Sequence, residues 1–584
     1  MSCLAIFEAL LAPEWSLQRL GSQRQYDVLQ VTFYGFRIEE GPSPKAWGMP
    51  IDMHASEPDD ILHNPDPCGS VHELPFFVRS GHGSLNSQPG YPIIMHFKGT
   101  LQTTQGGFNL GGTNATGQVP IMSGNFQLID LDTPKEAYTR TSFDSGEEWV
   151  LVFSDEFNTD GRSFYPGDDP WWEAVDLHYW GTNDLEWYDP GQITTQNGAL
   201  RIKIEKVNPI DNHDLTYRSG MVRVYCLRLR LSKLIGLFHD SLAPIMLPQR
   251  RRTFVFLPAA VTLPGSNTVS GLWPAVWTMG NLGRAGFGAS LDGMWPYSYD
   301  SCDVGTLPNQ THPGTETPAA ALQNGDPTKD GVLSFLPGQR LSACTCPGES
   351  HPGPMRTDGS YVGRSAPEID ILEATVESDG GKVSLSAQWA PFNAAYNWKN
   401  TTDNLHIYDT TKTVLNSYKG GVYQQTTSGL SLANQDCYEL KTQCFAVYGF
   451  EYKPGFDQSY ITWINDGKAE WSIRADGMGS DTQTEISARP IPQEPMYIIA
   501  NLGFSTNFAQ LDLDMLTFPA TMSIDYVRVY QPKDSLNIGC DPQDFPTAQY
   551  IDTYADAYAN FNISTWTDAG QPWPKNRLKN GGTC

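Results

Sequence analysis

The chain has 584 residues, of which 40% are hydrophobic and 18% charged, enough for a sizeable core and too many for one ordinary domain. A formal charge of −26 argues against nucleic acid or an anionic membrane surface as the main partner, because either would repel it. With 54 Gly, 42 Pro, 26 Tyr, 26 Phe and 16 Trp, the composition favours short strands joined by turns, and a neutral polar ligand that stacks on rings, such as a sugar.

Taken in chain order, residues 1–100 show no periodicity and scattered Pro and His. "LAIFEALLA" is short, interrupted by Glu8, and preceded by no basic stretch, so it does not read as a signal peptide. No run of 18 apolar residues is present. Residues 101–147 are loop-like and lead into a strand-rich region over 148–531, starting with "EWVLVFSDEFN". "ALRIKIEKV" (199–207) alternates apolar and charged residues as a half-buried strand does. A basic island over 223–260, with three consecutive Arg at 250–252, reads as an atypical insertion on the surface of an acidic protein. "QSYITWINDGKAEWSI" (458–473) predicts a hairpin about Asp-Gly, and "PMYIIANLGF" and "MSIDYVRVYQ" predict two further strands. Residues 532–584 form a C-terminal extension. Many short strands and no long capped helix predict an all-β antiparallel sandwich of jelly-roll type with long loop insertions.

The segment "APEIDILEA" (366–374) places Glu368, Asp370 and Glu373 within nine mostly apolar residues. On a strand Glu368 and Asp370 share a face, while Ile369 and Ile371 take the other. Glu373 lies at an odd offset from Glu368 and would point into the core, where an unpaired carboxylate is costly. One residue bulged out near Ile371 or Leu372 restores the parity and sets all three acids in a row. The glutamates are then about 13 Å apart at the backbone, so the face must be concave for their carboxyls to converge. Such a row suits retaining glycoside hydrolysis, with one carboxyl as nucleophile and the other as acid/base. A surface strand of acids or a cation site is the competing explanation.

Trp273 and Trp277 in "WPAVW" share a face. Trp277 is the candidate for sugar stacking, and core packing is expected for at least one of the two. Gln388, Trp389 and Asn501 are candidates for lining the cleft. Asp525 reads as a solvated strand acid ahead of a calcium ligand. The histidines and cysteines show no ligand spacing, so neither a metal nor a cofactor is predicted. Ten cysteines, several in polar loops, suit disulfides: Cys437 with Cys444 is the expected local bridge, and Cys540 with Cys584 a second. Asn-x-Ser/Thr acceptors at Asn114, Asn309, Asn400 and Asn562 point with them to the secretory pathway.

"EIDILE" resembles the bulged signature of glycoside hydrolase family sixteen, with matching flanks in "LVFSDEFN", "SGLWPAVWTMGN", "ITWINDGK", "PMYIIANLG" and "IDYVRVYQ". A narrower likeness lies in "GGFNLGGTNATGQVP", "FYPGDDPWWEAVDLHYWGTNDLEWYDPGQITT", "LPGQRLSACTCPGESHPGP" and "TWTDAGQPWPKNRLKNGGTC", which resemble the fungal β-glucan synthesis-associated proteins. That resemblance implies a concanavalin-like jelly roll acting on β-glucan in β-1,6-glucan assembly of the cell wall. It makes Glu368 the nucleophile, Asp370 the assisting acid and Glu373 the acid/base. It also implies a type II membrane glycoprotein whose catalytic domain faces the lumen or the exterior, although residues 1–89 contain no anchor helix. The island at 223–260 departs from the family pattern and stands where a cleft strand and Gly-Gly turn are expected. A secreted endo-β-1,3-glucanase and a non-catalytic glucan-binding assembly factor are the alternatives; oligomeric state is not legible.

Overall fold

The strand Ala199–Lys206 illustrates how the sandwich forms: Leu200, Ile202 and Ile204 are buried while Arg201, Lys203 and Glu205 stay partly in solvent. Alternation of this kind gives such a strand one wet and one dry face. The computed structural model describes residues 127–224, 255–286, 292–539, 541–560, 562–579 and 583–584. All of them belong to one compact unit, Thr100–Cys584; Met1–Gly99 is a second unit outside the described residues.

Eight antiparallel strands form the inner sheet: β1 (Trp172–Ala174), β2 (Met221–Val224), β3 (Trp273–Gly280), β4 (Glu368–Glu377), β5 (Gly380–Trp389), β6 (Thr413–Leu415), β7 (Gln424–Leu432) and β8 (Met496–Gly503). They lie side by side in the order β6-β7-β5-β4-β3-β8-β2-β1, with a two-residue strand at Gly420–Gly421 on β7. The outer sheet places Ala520–Pro532 between Val255–Thr262 and Ala199–Lys206. Ile369, Ile371, Leu372, Phe450, Trp463, Trp471 and Val527 fill the space between the sheets. The fold is therefore the expected all-β jelly roll.

The predicted hairpin forms as Tyr460–Asn465 and Lys468–Arg474, with Asp466 at φ 51° and Gly467 at φ 73°, the left-handed pair a tight two-residue turn requires. It delivers Trp463 and Trp471 to the core, stacked at 4.3 Å. Trp471 lies flat against Gly429, where a Cβ would come within 2.5 Å of the ring.

Both ends of the basic island prove to be framework. Arg223 and Val224 finish β2, which pairs with β8 and β1. Val255–Ala260 belongs to a fully buried strand at the middle of the outer sheet. The insertion is thus shorter than 223–260, and residues 225–254 lie outside the described residues. Asp525 is the extra residue in a register shift of Ala520–Pro532 and is half-buried beside Glu156 and Arg528, so it is less solvated than expected. Among the described residues no helix is long and apolar enough to cross a membrane.

Candidate active site

The parity of β4 changes where the spacing required it to. Asp370 pairs with Ser386 and Glu373 with Ser384, so three steps on β4 face two on β5; against β3, Leu372 pairs with Val276 and Asp370 with Trp277. The extra residue returns Glu373 to the face of Glu368 and Asp370. Its cross-strand neighbour Ala275 lies on the open face with Trp277 and Met279, whereas Ile369, Ile371 and Leu372 enter the core. Trp463 Nε1 reaches across the core to the Asp370 carbonyl at 2.9 Å, so the outer sheet holds the irregular strand in place.

The three carboxyls are knit together. Ser386 Oγ stands 2.8 Å from Asp370 Oδ2 and 3.2 Å from Glu373 Oε2. Gln388 Nε2 donates to Asp370 Oδ2 at 2.9 Å and its Oε1 accepts from Thr426. Trp273 Nε1 donates to Glu373 Oε1 at 3.2 Å, its ring stacked on Phe508. Trp295, from the loop before β4, donates its indole N–H to Glu368 Oε2.

Burial raises all three acids, because a carboxylate is poorly solvated there. Glu373 is pushed up to about 8 by burial and then by the Asp370 charge. Asp370 reaches only about 6, since hydrogen bonds from Ser386 and Gln388 offset part of the burial. Glu368 is driven well above the carboxylate range by burial and by its two like neighbours.

The open face divides at β4. On the β3-β8-β2 side, Trp277 Nε1 donates to Asn501 Oδ1 at 2.8 Å, Asn501 Nδ2 to the Tyr188 hydroxyl at 3.1 Å, and that hydroxyl to Asp184 Oδ2 at 3.0 Å. Asp184 and Glu186 are both pushed up by burial, and the carboxyl of Glu186 occupies the space a side chain at Gly503 would need. Leu177, Tyr179 and Trp295 pack over this half, and Tyr550, Ala557 and Trp566 of the C-terminal extension continue the same apolar cluster. On the β5-β7-β6 side the face is made of hydroxyls: Ser384 Oγ and Ser428 Oγ are 2.9 Å apart, and Asn416 Nδ2 donates to Ser428 at 3.2 Å.

Of the sequence-predicted residues, Glu368, Asp370, Glu373, Trp277, Gln388 and Asn501 lie together on this face. Trp389 does not. It is fully buried between the sheets with its Nε1 on Thr427, because Gln388 faces the site and its chain neighbour must face away. Ser386 and Trp295 touch the acids without having been singled out, and so does Trp273, which was weighed beside Trp277 but not chosen as a site residue. Trp273 was legible through its four-residue spacing from Trp277; Trp295 carries no local signal. The Cys437–Cys444 disulfide is present, but Cys584 pairs with Cys346 and not with Cys540, which lies outside the described residues, and Cys302 pairs with Cys344. Asn309, Asn400 and Asn562 are exposed, and Asn114 lies outside the described residues.

Residues 49–229 and 252–584 match the family described as "Beta-glucan synthesis-associated protein SKN1/KRE6/Sbg1". The chain is 43% identical over 555 residues to the β-glucan synthesis-associated protein KRE6 of Saccharomyces cerevisiae, covering 91% of this chain and 70% of that protein. It is 38% identical over 553 residues to the corresponding SKN1 protein of Candida albicans, covering 91% and 67%. Among solved structures, an endo-β-1,3-glucanase from Pyrococcus furiosus aligns over 68% of this chain and 98% of its own, at 17% identity and a TM-score of 0.35. With both stretches of the family matched in order, the chain belongs to the β-glucan synthesis-associated SKN1/KRE6/Sbg1 family.

Proposed function

We propose that the chain is a retaining glucan-active glycosidase or transglycosylase of cell-wall β-glucan assembly. The reading is carried by one observation: a bulge in β4 sets the buried Glu368 and Asp370 and the partly buried Glu373 in one row on an open sheet face, with Glu373 pushed up to about 8. At neutral pH Glu373 then holds its proton, as a general acid must. Ser386 has a single proton, so giving it to Asp370 leaves its oxygen free to accept from Glu373. Glu368 is raised further than Asp370 and so holds the proton between them in the free protein; to act as nucleophile it must pass that proton to Asp370, after which the Trp295 N–H donates to the Glu368 carboxylate.

In the first displacement the Glu368 carboxylate attacks the anomeric carbon, the bond to the leaving oxygen breaks, and the Glu373 proton passes to that oxygen. In the second, the Glu373 carboxylate takes a proton from water or a glucan hydroxyl. That oxygen bonds to the anomeric carbon and Glu368 leaves as carboxylate. The names of the relatives support β-glucan as the substrate. Among the described residues, three disulfides and three exposed Asn-x-Ser/Thr sites support an extracytosolic location.

Purified protein incubated with β-1,3- and β-1,6-gluco-oligosaccharides should give longer or shorter products, with the rate falling as pH rises through about 8. Glu368→Gln should lower turnover by roughly 10³-fold or more. Unchanged oligosaccharides in the wild type, with binding retained, would leave an assembly factor that recognises glucan without cleaving it.

A further inference from the structure

A glycan chain lying across a sheet face needs exposed aromatic faces and polar groups that are free to receive its hydroxyls. On the β3-β8-β2 side of Glu368 the sheet offers little of either. Trp277, Tyr188, Asp184 and Glu186 are all 7% exposed or less. The polar groups of this half hydrogen-bond one another: Trp277 to Asn501, Asn501 to Tyr188, Tyr188 to Asp184, and, nearer the edge, Arg223 to Glu173 at 2.9 Å.

Two half-buried side chains, Trp295 and Tyr179, stand at the boundary of this half, both packed against the apolar cluster that contains Trp277, Met279 and Ile499. Trp295 sets its indole N–H on Glu368 Oε2. Burial, then the charges of Glu368 and Asp184, raise the Tyr179 hydroxyl, which places Tyr179 beside both acids. Neither side chain hangs on a loose loop. The Met294 carbonyl, next to Trp295, accepts from the Ala366 N–H at 2.6 Å and from the Ser365 hydroxyl, so that loop is joined to the segment entering β4. Leu177 and Tyr188 exchange backbone hydrogen bonds at 3.0 and 2.8 Å, which anchors the segment carrying Tyr179. Trp295 and Tyr179 therefore form a fixed wall beside Glu368. A chain continuing across the sheet collides with it, whereas a chain that ends there does not.

We propose that Trp295 and Tyr179 make the site selective for a chain end, so that the substrate is the terminal segment of a linear β-glucan and not the interior of a long one. The inference rests on the catalytic reading above for the identity of the site, but the selectivity is measured as binding, without turnover. The probes are a cyclic β-1,3;1,6-glucan and the same glucan opened by limited acid hydrolysis, which share their linkages and differ in having ends. Isothermal titration into the full chain carrying Glu368→Gln should give a Kd for the opened glucan about tenfold or more below that for the cyclic one. Tyr179→Ala together with Trp295→Ala in that background should bring the cyclic glucan within about twofold of the opened one. Should the double variant not fold, as its melting temperature will show, Tyr179→Ala alone should still narrow the ratio, while Tyr179→Phe, which keeps the aromatic side chain, should leave it unchanged. Equal binding of both glucans by the parent, binding of neither, or a folded double variant that still rejects the cyclic glucan overturns the end selectivity, even if the wild type proves catalytic. Conversely, selective binding of the opened glucan by a protein whose wild type turns nothing over keeps the end site and removes the catalytic reading.

Discussion

On one side of β4 the open face carries Trp277, Asn501 and Ile499 beneath the chain's own Leu177, Tyr179 and Trp295; on the other it carries Ser384, Ser386, Thr426 and Ser428 beneath Tyr418. Both halves are ordinary antiparallel ladders with the same alternation. Their difference comes from what later segments bring to them. The closed half receives the C-terminal extension, whose Trp566 packs with Tyr550, Tyr554 and Tyr558 and lies 4.7 Å from the Arg340 guanidinium. The Cys346–Cys584 disulfide and the Tyr558 hydroxyl on the Leu282 carbonyl tie that extension down. The open half receives the tight return at Gly420 and the loop that carries Tyr396 and Asn397, which border the hydroxyl floor without an apolar cluster like that around Trp566. Burial of apolar surface thus stabilises one half, and the other keeps its polar groups available to a ligand.

The contrast can be broken most strongly at Trp566. Replacing this 1% exposed side chain in Trp566→Ala should cost about 3–5 kcal/mol, read as a lower denaturant midpoint and faster proteolysis after residue 540. A loss below about 1 kcal/mol would mean the extension is not part of the core.

The next effect is pH-dependent. Because the Glu373 carboxyl is raised, the native state keeps a proton that the unfolded chain releases above its ordinary value near 4.3. Its contribution to stability is therefore full below that pH and lost as pH rises through about 8. Glu373→Gln stays neutral, so its melting temperature should fall less than that of the wild type between pH 5 and 9, a divergence of a few kcal/mol at most. Parallel curves would show that Glu373 is not held protonated.

The smallest effect belongs to the open half. Ser428→Ala removes a hydroxyl paired with Ser384 and Asn416 and should cost about 0.5–1.5 kcal/mol of stability, while weakening gluco-oligosaccharide binding. A stability loss as large as that of Trp566→Ala would erase the distinction between the halves.

How far the sequence carries is visible residue by residue. The row of Glu368, Asp370 and Glu373 was legible because strand parity is a two-residue rule and a buried lone carboxylate is costly, so their spacing alone demands a bulge. The hairpin at Asp466–Gly467 and the seven-residue Cys437–Cys444 bridge were legible for the same local reason. Trp389 could have been excluded by parity against Gln388, and Trp273 included by its spacing from Trp277.

Trp295 on Glu368, Trp463 on the Asp370 carbonyl, the Cys346–Cys584 pairing and the packing over Trp277 join residues far apart in the chain. Such contacts leave no periodic trace. The amino-acid order by itself determined the strands, their faces and the acid row, since these follow from backbone geometry over a few residues. Which half of that face stays open was decided only in three dimensions, where distant loops and the C-terminal extension compete to bury the same apolar surface.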